Sequence, residues 1–156
     1  MEEWKTYKIG NLCSISSSKR IFAKEYQSSG IPFFRGKEII EKQKGESVST
    51  ELYISKSRYD EIKNKFGVPK EGDMLLTSVG TLGIPYIVKN ETFYFKDGNL
   101  TWFTDFKEIN SKFLYYWLKS EILDLSHYQN FYEFPKFRIK LLILILLHFN
   151  IVRIIY

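Results

Sequence analysis

The sequence predicts a mixed α/β (α+β) domain: a twisted, mostly antiparallel multi-stranded sheet carrying one short and one long helix. Three observations lead there. The 156 residues are the size of one domain, and 44% are hydrophobic against 26% charged, enough apolar surface for a core. Short apolar runs of strand length recur between Gly, Pro and Asp-Gly breaks. Two longer segments open on capping residues and read as helices.

Trp4-Lys5-Thr6-Tyr7-Lys8-Ile9 alternates bulky and polar residues, as a strand does, and Gly10-Asn11 breaks it. Leu12 to Ile15 reads as a helical turn running into a second strand, and Ser16–Arg20 as a polar loop. A second loop, Gln27–Gly30, precedes a short strand, Ile31–Arg35, whose Pro32 sits near its start. Ser55 is a fair N-cap for a helix over 56–66, closed by Gly67-Val68-Pro69. Met74–Ser78 and Ile84–Val88 are strands around the glycine turn Val79–Gly83. Thr92–Phe95 and Leu100–Phe103 flank Lys96-Asp97-Gly98-Asn99, and Asp-Gly there predicts a hairpin. Asn110 or Ser111 opens the long helix. Its stripe of Phe113, Leu114, Trp117, Leu118, Ile122 and Leu125 faces the core.

From Leu141 the composition changes to seven consecutive branched aliphatics. A membrane helix needs about 20 mostly apolar residues; this run is shorter and is broken by His148, Asn150 and Arg153. The organisation read from the sequence is a domain over 1–140 and an atypical apolar tail over 141–156. The N-terminus lacks the positive-then-apolar order of a signal peptide, so the chain is expected to be cytoplasmic and not membrane-bound. A lone cysteine, Cys13, excludes an internal disulfide framework.

The formal charge is +5, and the excess lies wholly in residues 1–70. Lys19, Arg20, Lys24, Arg35, Lys37, Lys42 and Lys44 crowd one stretch there. A polyanion is a plausible partner for such a stretch, and a solvated basic face is the plainer reading.

Catalytic signatures are missing. Gly80-Thr81-Leu82-Gly83 is not followed by the Gly-Lys-Ser/Thr of a phosphate loop, and no dinucleotide fingerprint follows the first strand. Cys13 and two histidines, His127 and His148, do not make a zinc site, so no cofactor or metal is expected. Cys13 with His127 stays open as a nucleophile pair beside the simpler reading of a buried structural thiol. Asp60-Glu61-Ile62-Lys63 reads as helix-surface charge, and Asp97 as a turn residue rather than a site shared with Asp105.

Four segments in order carry a resemblance: residues 4–15, Gly30-Ile31-Pro32-Phe33-Phe34-Arg35, Gly72-Asp73-Met74-Leu75-Leu76-Thr77-Ser78-Val79-Gly80-Thr81-Leu82-Gly83, and Phe95-Lys96-Asp97-Gly98-Asn99-Leu100-Thr101-Trp102-Phe103. Together they resemble a target recognition domain of a type I restriction–modification specificity (S) subunit, over about residues 4–126 and more loosely to Lys140. The resemblance implies a DNA-binding α/β domain without catalytic activity. Such a domain docks on modification (M) subunits that methylate adenine and, in the full complex, on restriction (R) subunits. It also implies a second domain and long helical spacers, for which this chain has no room. Phe134–Lys140 is similar to the segment that opens a spacer, whereas Leu141 onward departs from the pattern and reads as the product of a frame change or truncation near Lys140.

For such a domain, Ser17, Ser18, Lys19 and Arg20 offer hydroxyls and cations on one loop. Arg35 follows a strand end, where its guanidinium suits guanine O6 and N7. Lys24, Lys37, Lys42 and Lys44 suit phosphates, and Thr77, Ser78 and Thr81 surround the glycine turn. The alternative for each Lys is solvation, and for Thr77 and Ser78 an inward hydroxyl satisfied by backbone. Two other functions compete: a truncated S fragment that docks on an M subunit without reading DNA, and a small nucleic-acid hydrolase.

Overall fold

The computed structural model describes residues 4–125 and 151–155. In chain order the elements are β1 (Trp4–Lys8), α1 (Ile9–Leu12), β2 (Ser14–Ser16), a 3₁₀ turn (Ala23–Glu25), β3 (Ile31–Phe34), α2 (Gly36–Lys44), β4 (Tyr53–Ile54) and α3 (Lys56–Phe66). They continue with β5 (Met74–Thr77), β6 (Pro85–Ile87), β7 (Tyr94–Phe95), β8 (Leu100–Thr104), α4 (Ser111–Leu125) and β9 (Ile151–Ile155).

The centre is a four-stranded antiparallel sheet of order β2-β8-β5-β6. Beside it lies a three-stranded sheet, β4-β3-β7, in which β3 runs antiparallel to β4 and parallel to β7. β1 and β9 form an antiparallel ribbon, with Trp4 opposite Ile155 and Lys8 opposite Ile151. Residues 141–150 of the apolar tail, together with His127 and Phe134–Lys140, lie outside the described residues.

All four residues of β5 are buried, because the central sheet is covered on both faces. Side chains alternate across a strand, so Met74, Leu76 and Phe103 pack on one face with Ile9, Leu12, Leu114 and Leu118 of α1 and α4. Leu75, Leu100 and Trp102 point the other way, onto Phe34, Ile39, Phe93 and Phe95. A third cluster, with Phe33, Ile54, Ile62 and Tyr94, joins the smaller sheet to α3. Each fully buried Phe or Leu contributes roughly 1.5–3 kcal/mol of transfer free energy. Pro85 is tolerated in β6 because that strand is the sheet's edge.

Several expectations shift. The first strand does end ahead of Gly10-Asn11, at Lys8, but these two residues lie inside the short helix α1. The strands flanking Lys96–Asn99 exist but do not form a hairpin. Both edges of β8 are taken, by β2 and β5, so β7 pairs with β3 and the turn carries the chain from one sheet to the other. α2 was not foreseen, and the count of one short and one long helix rises to four among the described residues. The helix over 56–66 stands as read, with Ser55 Oγ accepting the Arg58 N–H at 3.2 Å. Asn110 Oδ1 accepts the Phe113 N–H at 2.9 Å and so caps α4. In its stripe, Leu114 and Leu118 are buried and Phe113 is 36% exposed; the side chains of Ile122 and Leu125 are outside the described set. At Gly30, φ is +131° and a Cβ would stand 2.5 Å from the Ile54 carbonyl oxygen, so only glycine lets the loop pass this close to β4.

Candidate nucleic-acid interface

Strand register brings several loops to one rim. Thr77 opposes Leu100 and Leu76 opposes Pro85, so the loop 78–84 leaves β5 at the end where β8 begins. Ser16 opposes Trp102, so β2 also runs out there. Phe34 and Phe95 are parallel partners, so Arg35 and Lys96 emerge side by side. The turn 96–99 is the hub of this rim. Lys96 N donates to the Phe34 carbonyl and Ser78 N to the Asn99 carbonyl, each at 2.8 Å. Ser18 Oγ donates to the Phe95 carbonyl at 2.7 Å, and Ser17 Oγ to the Leu100 carbonyl at 3.3 Å while accepting from Gly98 N.

Of the residues nominated from the sequence, Ser17, Ser18, Lys19, Arg20, Arg35, Thr77, Ser78 and Thr81 are drawn to this rim. Lys19 is anchored by its backbone, which donates to the Tyr94 hydroxyl at 2.7 Å, and its ammonium sits 4.5 Å from the centre of the Phe66 ring. Burial raises the Tyr94 pKa, so the phenol stays a neutral acceptor for that N–H. Arg20 pairs with Asp97 at 2.9 Å, with its side chain 69% exposed. Thr81 is exposed on the glycine loop.

Arg35 is differently engaged. Its Nη2 donates to Glu38 Oε1 at 2.6 Å, and its backbone N–H donates to Glu38 Oε2 at 2.7 Å, so the guanidinium helps close the first turn of α2. Burial pushes the Glu38 carboxyl up, but the hydrogen bonds from Arg35 outweigh it and hold the group below the ordinary value. The fork that suits a guanine is thus turned toward Glu38. Thr77 is fully buried; its hydroxyl accepts the Ile84 N–H at 2.9 Å, and its carbonyl accepts from Gly83. It shapes the glycine loop from within, and it cannot meet a duplex there. Ser78 is half-buried, its hydroxyl 2.7 Å from Thr101 Oγ1.

The remaining cations lie elsewhere. Lys24 is exposed on the 3₁₀ turn, which the Glu25–Arg58 pair at 2.9 Å ties to the start of α3. Lys37 pairs with Glu41 at 3.7 Å and Lys44 with Glu46 at 4.0 Å, both weak surface contacts. Lys42 is bound to Glu91 and stands over Phe34 and Tyr86, beside the edge strand.

Sequence reading missed the apolar part of the rim. Phe66 and Val79 are 53% and 54% exposed, and Phe66 borders a cleft of about 250 Å³ with Lys19, Tyr94 and Trp102. The only sequence cue for Phe66 is its place as the last residue before a helix-ending glycine. Asp73, within the most specific motif, is buried and accepts from Trp102 Nε1 at 2.9 Å and from Lys70 N at 3.0 Å. Burial raises its pKa. Its role is to join two motif segments.

Cys13 is buried, and desolvation pushes its thiol up to about 11, as suits an inert structural residue. Asp97 and Asp105 pair separately, with Arg20 and Lys70, and share no site. Asp60 and Glu61 are held by Lys56, Arg58 and Lys65 on the surface of α3. Among the described residues, no cluster of His, Cys, Asp and Glu is arranged to hold a metal, and no helix is long and apolar enough to cross a membrane. Cations, short hydroxyls and exposed apolar groups on one rim are the chemistry that meets a duplex.

Two solved structures share this architecture. It is similar to the HsdS subunit of Thermoanaerobacter tengcongensis, with a TM-score of 0.54 and 16% identity, over 74% of this chain and 27% of that one. A chain from work on complex assembly and conformational transition of the type I R-M system gives a TM-score of 0.51 at 17% identity, with the same shares covered. In sequence, the chain is 32% identical over 117 residues to the Haemophilus influenzae type I restriction enzyme specificity subunit named S.HindORF215P, over 74% of this chain and 29% of that protein. The model of the type I restriction modification DNA specificity domain matches residues 1–145, and the chain belongs to that family. The family's part is specificity, not catalysis. The chain spans under a third of the length of these relatives.

Proposed function

We propose that this domain reads a DNA sequence within a type I restriction–modification complex of the cytoplasm, leaving adenine methylation and cleavage to M and R subunits. The observation that carries this reading is the convergence of the 17–20, 78–83 and 96–99 loops, with the start of α2, on one rim held by backbone hydrogen bonds and by the Ser17 and Ser18 hydroxyls. Lys19, Arg20 and Thr81 are the rim residues we assign to bases or phosphates, while Ser17 and Ser18 spend their hydroxyls on the Leu100 and Phe95 carbonyls and hold the loop in place. Arg35 and Thr77 serve them by fixing α2 and the glycine loop. Lys24, Lys37, Lys42 and Lys44 supply charge outside the rim. A rigid backbone lets short side chains discriminate bases, and one good bidentate contact is worth about 1–3 kcal/mol.

The test mixes the full chain with the methyltransferase subunit encoded beside it and maps methylation over a duplex library. Methylation is expected at one motif, and Arg20→Ala or Thr81→Ala should relax one position of it. Co-elution without methylation of any duplex would leave a docking fragment in place of a reader.

A further inference from the structure

A second cleft, of about 320 Å³, opens between α2, the edge strand β6 and α4. Lys42 and Gln43 enter it from α2, Lys89 from the segment after β6, and Lys112, Tyr115 and Tyr116 from α4. Glu91 compensates Lys42, and its other carboxylate oxygen is taken by the Tyr86 hydroxyl. Among the described residues, neither Lys89 nor Lys112 has an ion-pair partner. Tyr116 is 68% exposed and stands edge-on to Tyr115, with centroids 5.2 Å apart, and Gln43 reaches the Tyr115 hydroxyl at 3.4 Å. Two unmatched ammonium groups flank the exposed ring of Tyr116 and the half-buried ring of Tyr115.

We infer that this cleft is a second, sequence-independent site for the phosphodiester backbone of the DNA, next to the rim and separate from it. The inference rests on the DNA-reading role proposed above. Phosphates take ammonium and hydroxyl groups, and sugars and bases lie well against tyrosine rings. The position of the cleft favours DNA over an acidic protein surface. α2 starts at the rim, where its first residue, Gly36, lies near Val79 and Thr77, and ends at the cleft with Lys42 and Gln43. Seven residues of helix span about 10 Å, close to three base-pair rises, so one duplex leaving the rim along α2 meets the cleft within a few steps.

The experiment measures binding of the full chain to a random-sequence duplex that extends well past one recognition site, over about 50–200 mM salt. Lys89→Gln/Lys112→Gln is compared with Lys19→Gln/Arg20→Gln and wild type. The cleft variant should lower the slope of log affinity against log salt by about 1.8, equally for all sequences, and leave the methylated motif unchanged. An unchanged slope, with wild type still binding, overturns the cleft and leaves the reader standing. Loss of methyltransferase co-elution at an unchanged slope overturns it in favour of an acidic protein partner. If wild type binds no duplex, the DNA-reading role itself fails.

Discussion

Glu38 shows how a single side chain sets the start of α2. It is fully buried, yet it stays ionised because Arg35 gives it both a guanidinium and a backbone N–H. Its folded-state pKa lies below the ordinary value of 4.5, so the unfolded chain binds the proton more readily. The ionised group therefore stabilises the fold above that ordinary value, and the contribution disappears as pH falls through the lower, folded one. Glu38→Gln should cost about 1–3 kcal/mol at neutral pH, with the gap to wild type closing in acid. Urea unfolding at the two pH values checks this; an equal gap at both would show that the carboxylate's charge is not what matters. The same pair is what sequence alone hides at Arg35: a lone cation after a strand looks free, and its partner lies only three residues on.

The elements differ in how far they could be read. α3 was legible because its cap is local: Ser55 meets the Arg58 N–H three residues on, and Gly67 ends the helix. Ser55→Ala should lower stability by about 1 kcal/mol and depress the melting temperature while leaving duplex binding at low salt intact. A melting temperature equal to wild type would mean the cap bond contributes nothing. β5 and β8 were legible as strands from their apolar runs, but their partners were not, because pairing depends on residues far apart in the chain. α2 was hidden by its own composition. Gly36 opens it, and its one apolar pair, Ile39-Ile40, is too short to show a period.

At the scale of the molecule, the charge asymmetry seen in sequence resolves into parts. Of the seven basic residues crowded between 19 and 44, all but Lys19 and Lys24 form ion pairs. Total charge thus overstates what is offered to a polyanion. Duplex affinity should fall with salt with a slope near −0.9 per phosphate contacted, hence a slope of only about −2 to −5 for this chain. A titration at several salt concentrations measures it, and a slope near zero would remove electrostatics from binding altogether. The family motif was legible as a pattern, but its meaning was not. Asp73, Thr77 and Ser78 spend their polar atoms inside, on Trp102, Ile84 and Thr101, so the most specific stretch of sequence encodes scaffold.

The turn at 96–99 passes from β7, which is fixed to β3, to β8, which is fixed on both sides. The ladders beneath the rim close without help from the side chains that protrude above them. Exposed positions such as Thr81 or Arg20 can therefore be rewritten one at a time with little penalty to folding. On the proposed reading role, such edits change which duplex is preferred while the architecture stays constant.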